Sequence, residues 1–128
     1  MRLLSIAALA AALLASSASL AIAAPASGID GIMSTVNLTE VLAKMVDAGV
    51  SAEDAMADIE ALGLNLTVAE FDRDGALSAA ALRARTKPLG LSLGDRACLA
   101  TARSRALPVL TADQSWAKLE GFAIILAR

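Results

Sequence analysis

LSLGDRACLATARSRALPVLTAD (Leu91–Asp113) reads as a helix followed at once by a strand. Ser92 stands where an N-cap belongs, and Asp95, three residues on, has the spacing of a capping box. The helix runs through "RACLATARSRA", and "PVLTA" (108–112) follows as a short apolar strand. Asp113 closes that strand and is placed to cap the helical turn "DQSWAKL". A helix feeding directly into a buried strand is half of an α/β unit, so the next question is whether the rest of the chain repeats the alternation.

It does from Ile29 onward. "IMSTV" (Ile32–Val36) predicts a strand, and "NLTEVLAKMVDAG" predicts a helix with Leu38, Val41, Leu42 and Met45 on one face and Glu40, Lys44 and Asp47 on the other. Gly49 ends it. "SAEDAMADIEALG" opens with Ser51 and Asp54 in capping-box spacing and ends at Gly63. "LNLTV" (Leu64–Val68) alternates as a strand does, "FDRDGALSAAALRART" returns to a helix, Pro88 and Gly90 mark a loop, and "FAIIL" (Phe122–Leu126) predicts the last strand. Short apolar strands between helices imply a central parallel sheet flanked by helices, an α/β fold. With 128 residues and no internal repeat or linker, one domain over residues 1–128 is expected.

Composition narrows the chemistry. The chain contains no histidine, which removes Ser-His-Asp and Cys-His catalysis and imidazole metal sites. Its single cysteine, Cys98, cannot form an internal disulfide and suits a packed helix position. What remains are carboxylates, hydroxyls, Lys, Arg and any metal held by oxygen. The net charge of −2 argues against a general nucleic-acid coat. Even so, six of the 11 basic residues lie between Arg83 and Arg105, against Asp95 alone. Arg96 and Arg103 in that stretch are candidate contacts to a nucleic-acid backbone, or else part of a solvated helix face.

Residues 1–30 are atypical. In "MRLLSIAALAAALLASSASLAIAAPASG", Arg2 precedes an apolar stretch, and "AIAA" before Pro25 offers a small-residue cleavage site. The segment reads as a secretory signal, as a membrane span, or as a buried strand and helix of a cytoplasmic domain. A span is disfavoured by the Ala and Ser content and the lack of a basic cluster after it.

Three acids stand out, each with two readings. Glu40 follows the strand 32–36 and precedes Lys44 by four residues, an ordinary surface pair. Asp113 follows the strand 108–111, and Asp95 lies in the first turn of the helix before it; both have the positions of caps. Ligands gather at the carboxyl ends of strands in open parallel sheets, so the three can instead converge at one edge. Carboxylates sharing a poorly solvated pocket need a counter-charge, and a divalent cation such as Mg²⁺ suits oxygen ligands. The chemistry then available without histidine is metal-assisted phosphodiester hydrolysis.

"STVNLTEVLAKMVDAGVS", "LGLSLGDRACLATARSRALPVLTADQSWAKL" and the final apolar strand resemble the PIN-domain family, most closely the VapC-type ribonuclease toxins of bacterial toxin–antitoxin pairs. The likeness covers about residues 31–128. It implies a three-layer fold with a central parallel sheet, acidic residues that bind Mg²⁺ or Mn²⁺ and cleave RNA, a cognate antitoxin that blocks the site, and a homodimer. Carried over by position, the catalytic and metal-binding acids are Glu40, Asp95 and Asp113, while Asn37 and Thr111 match polar residues that support the site. One departure is large. The family's first strand ends in an aspartate ligand, yet no Asp or Glu precedes Asp30 here, and an ungapped overlay puts Ser5 in that place. A hydroxyl does not replace a carboxylate's charge. The resemblance therefore implies either a metal-dependent endoribonuclease weakened by that loss or a catalytically inactive PIN-like module that binds an antitoxin or RNA. It implies a cytoplasmic protein with no membrane partner; secretion is the alternative if residues 1–24 are a signal peptide.

Overall fold

Apolar runs too short for helices build the sheet, and the amphipathic segments between them cover it. The computed structural model describes residues 20–23, 30–61 and 65–126. Within them the strands are β1 (Leu20–Ala23), β2 (Asp30–Ser34), β3 (Asn65–Ala69), β4 (Val109–Thr111) and β5 (Ile124–Leu126). The helices are α1 (Thr35–Asp47), α2 (Ala52–Ala61), α3 (Arg73–Ala81), α4 (Arg83–Thr86) and α5 (Leu93–Ser104), with 3₁₀ turns at Lys87–Leu89 and Gln114–Lys118. Local chemistry sets these bounds. Ser34, Asp72, Ser92 and Asp113 each accept a backbone N–H at the start of a helix or turn. Gly49 (φ +93°) and Gly90 (φ +68°) stop helical segments in the left-handed region. The single helix predicted over residues 71–86 is divided at Leu82, whose buried side chain anchors the break.

The sheet order is β3-β2-β1-β4-β5. Its outer pairs, β2–β3 and β4–β5, are parallel as predicted. The central strand is the exception to the parallel pattern: β1 runs antiparallel to β2 and to β4. The reason is the connection. Only residues 24–29 separate β1 from β2, whereas a parallel return needs a crossover of about a dozen residues or more. The placement of Ser5 on a first strand falls outside the described residues.

Successive residues of β2 point to opposite faces, and both faces are covered. Ile32 joins Leu82, Leu99, Val109, Trp116 and Ile124 on the side of α5; Met33 joins Val41, Met45, Ala55 and Ile59 on the side of α1 and α2. This is a three-layer α/β fold. Among the described residues no helix is long and apolar enough to cross a membrane.

Because β2 and β4 both oppose β1, they run parallel to each other. Their carboxyl ends, Ser34 and Thr111, therefore reach the same edge of the sheet. One strand separates them, a gap of roughly 10 Å. Helix α5 runs back before β4 begins, which brings its N-terminus to that same edge.

Candidate active site

The edge is organised by Asn37, which is 1% exposed. Ser34 caps α1: its Oγ accepts the Asn37 backbone N–H at 3.1 Å and donates to Asn37 Oδ1 at 2.6 Å. That leaves the amide nitrogen of Asn37 to reach outward. Nδ2 donates to the Gly94 carbonyl of α5 at 2.9 Å and to Glu40 Oε2 at 3.4 Å. A single side chain thus ties the first turn of α1 to the first turn of α5 and steers Glu40 towards it.

Asp95 is 8% exposed and completes the predicted capping box: the Ser92 N–H donates to its Oδ2 at 2.8 Å, and the Asp95 N–H donates to Ser92 Oγ at 3.2 Å. Asp113 is exposed and caps its turn, with Oδ1 accepting the Ser115 N–H at 2.9 Å. Thr111, buried at the end of β4, accepts the Asp113 N–H on Oγ1 at 3.1 Å and so shapes the turn that carries the acid. Capping therefore explains where Asp95 and Asp113 stand, and does not exclude a second use for their charge.

The electrostatics favour that second use. Burial pushes the Glu40 carboxyl above its ordinary value; the Asn37 hydrogen bond opposes this and the charge of Asp95 adds to it. Burial also raises Asp95 against its hydrogen bonds to Ser92, with the charge of Asp113 adding to the rise and Arg96 opposing it. Asp95 thus feels Asp113, and Glu40 feels Asp95. Lys44, the expected surface partner of Glu40, is not among the groups that perturb it. Cys98, one helical turn below Asp95, is buried and its thiol is pushed up to about 12, chiefly by burial and then by Asp95 and Glu40. It is an inert packing residue. Among the described residues, no group of three His, Cys, Asp or Glu side chains is gathered tightly enough to enclose a metal by itself.

The basic candidates separate. Arg96 is half-buried beside Asp95, and its guanidinium donates to the Leu91 carbonyl at 3.4 Å. Arg103 stands at the other end of α5, about 12 Å along the axis from Asp95, with its guanidinium 4.8 Å from the centre of the Phe122 ring. The structure brings Arg96 to the acids and places Arg103 away from them. Two residues at the edge were not singled out from the sequence, Ser34 and Gly94. Ser34 carries a signal, since it precedes Asn37 by three residues as a cap does.

Two results follow from this geometry. Replacing Asn37 with Ala leaves the Gly94 carbonyl and the Ser34 hydroxyl without their partner. The expected cost is about 1–3 kcal/mol, read as a lower midpoint in thermal unfolding. The second concerns pH. A carboxyl whose pKa is raised by folding binds its proton more tightly in the folded state. Its contribution is favourable at low pH and is lost as pH rises through the ordinary carboxylate value to the raised one. Without metal, Glu40→Gln should therefore melt above the wild type at pH 7, and the difference should vanish near pH 4, around the ordinary carboxylate pKa. A difference that does not change with pH overturns this.

Comparison with known proteins adds a family. The family described as "PIN domain" matches residues 6–121, and so extends into the atypical N-terminal region. No curated protein matches the chain significantly.

Proposed function

The chain belongs to the PIN-domain family, and from that premise we propose that it is a VapC-type toxin, an endoribonuclease that hydrolyses RNA phosphodiester bonds with Mg²⁺ or Mn²⁺. The family itself supports a nuclease-type function and the use of divalent metal ions. The observation that carries the finer reading is the run of mutually repelling acids Glu40, Asp95 and Asp113 at the end of the sheet where the strands finish. In this reading residues 1–128 act as one PIN-like unit, in the cytoplasm, paired with itself and held silent by a cognate antitoxin.

The donor set fits a hard divalent cation. Asp95 commits Oδ2 and Asp113 commits Oδ1 to backbone amides, which leaves each a second oxygen beyond its cap. Glu40 offers Oε1, with Oε2 facing Asn37. All the donors are oxygens, as Mg²⁺ and Mn²⁺ require. When bound, such a cation supplies positive charge against the phosphate and acidifies water. The chain's own residues do the rest. Asp95, buried, and Glu40, partly buried, form a pair of carboxylates whose repulsion a cation would relieve. Asn37 orients Glu40. Thr111 holds the Asp113 turn. Arg96 partly offsets the charge of Asp95 and faces a backbone phosphate as a minor contact; Arg103 is a more distant one.

A second reading is favoured by the N-terminal sequence. No Asp or Glu precedes Asp30, so the aspartate that ends the family's first strand has no counterpart here and the site has fewer carboxylates than the family's usual set. A PIN-like module without cleavage, binding an antitoxin or RNA, would result. Incubation of the full chain with RNA and Mg²⁺, with and without EDTA, decides. Cleavage that EDTA abolishes supports the ribonuclease. RNA retention without cleavage, together with no Mn²⁺ uptake in calorimetry, supports the inactive module.

A further inference from the structure

Gly94 is the second residue of α5, between Leu93 and Asp95. Its backbone does not call for glycine. The glycines in the left-handed region are Gly49, Gly90 and Gly121, and Gly94 is not one of them. A glycine inside a helix costs stability relative to alanine, so its presence here asks for another cause. Space supplies one. A β-carbon at Gly94 would lie 2.6 Å from both Cδ and Oε2 of Glu40, and closer still to Oε1. All three of the nearest atoms belong to the Glu40 carboxylate. The Glu40 carboxylate therefore rests in the volume that any other residue at 94 would fill. The same glycine offers its carbonyl to Asn37 Nδ2 at 2.9 Å, so its two faces receive the two side chains that α1 sends across.

We propose that Gly94 is a positioning residue: its missing side chain lets the Glu40 carboxylate lie against the first turn of α5, next to Asp95. The proposal rests on the reading of these acids as a metal centre for its functional meaning, while the contact itself stands on geometry. Glu40 is the far end of a flexible side chain, so a β-carbon at 94 displaces the carboxylate rather than the backbone. The cost falls on the site more than on the fold.

The test uses the full-length chain as wild type, Gly94→Ala, Glu40→Asp, Glu40→Ala and the doubles that combine Gly94→Ala with each Glu40 change. Mn²⁺ affinity by calorimetry and the midpoint of thermal unfolding are read for each. Gly94→Ala should weaken Mn²⁺ binding about tenfold or more, the scale on which orienting residues act. Glu40→Asp, shorter by one methylene, should restore part of that loss when combined with Gly94→Ala. With the Glu40 side chain removed, the space is open and alanine is the better helix former, so Gly94→Ala should raise the midpoint of Glu40→Ala. This arm keeps the proposal decidable even if Gly94→Ala alone does not fold. Wild-type Mn²⁺ affinity in Gly94→Ala, or a midpoint that falls in the Glu40→Ala background, overturns the proposal. If the wild type takes up no Mn²⁺, the metal-centre reading fails separately, and the melting comparison still decides the contact.

Discussion

A chain that begins at Pro25 should lose its cooperative thermal transition. The truncation removes β1, and β1 joins the two halves of the sheet. Its register pairs Ala21 with Ile32, Ile22 with Gly31 and Ala23 with Asp30 on one side, and Leu20 with Leu110 and Ala21 with Val109 on the other. Without it the sheet falls into two parallel pairs, β2–β3 and β4–β5. Two-stranded pieces are marginal on their own. The interior also suffers, because α5 packs on β1, β2 and β4 together. Each backbone hydrogen bond contributes about 0.5–1.5 kcal/mol, and the loss of two ladders is comparable to a whole domain stability of about 5–15 kcal/mol. Far-UV circular dichroism and melting of residues 25–128 check this. A truncated chain that melts as sharply as the full one would show that β1 is dispensable. The same result bears on the N-terminal segment, since cleavage before Pro25 would discard this strand.

Asp95→Asn should abolish most RNA cleavage while leaving the fold intact or slightly more stable. Asparagine keeps the shape and an acceptor oxygen for the Ser92 amide, so the cap survives. What disappears is charge. Changing a group that merely orients a ligand costs 10–100-fold in metal affinity or activity, so a group proposed to hold the ion should cost at least about a hundredfold. Stability moves the other way. Burial and the neighbouring Asp113 disfavour the ionised Asp95 in the folded chain, so a neutral side chain removes a cost that grows as the carboxyl ionises. Activity falling as the melting point holds or rises is the mark of a residue kept for function. Cleavage unchanged by Asp95→Asn would reduce Asp95 to its capping role and remove the proposed mechanism.

Caps were the most legible features because they depend on neighbours two or three residues apart. Ser92 with Asp95 and Ser51 with Asp54 pair as their spacing predicts, and Asp113 caps its turn by accepting the Ser115 N–H. Strand positions shifted by small amounts, from 32–36 to Asp30–Ser34 and from 64–68 to Asn65–Ala69, as ends of short apolar runs do. The central strand was not legible. AIAA before Pro25 reads as a small-residue cleavage site, and only pairing with β2 and β4 makes Leu20–Ala23 a strand. The site was half legible. The resemblance pointed to Glu40, Asp95 and Asp113, but Glu40 has Lys44 as its natural sequence partner. Its turn towards α5 depends on Asn37 reaching Gly94 across 57 positions of chain.

The sequence by itself determined the alternation of strand and helix, the caps, and a chemistry confined to oxygen donors and cations by the absence of histidine. These follow from periodicity and from contacts within a turn. The tertiary structure alone decided that the central strand runs backwards, because a short connection cannot make a parallel crossover. It alone decided that Glu40 lies on Gly94 beside Asp95, because that meeting requires β2 and β4 to end at one edge and a residue without a side chain to leave room between two helices.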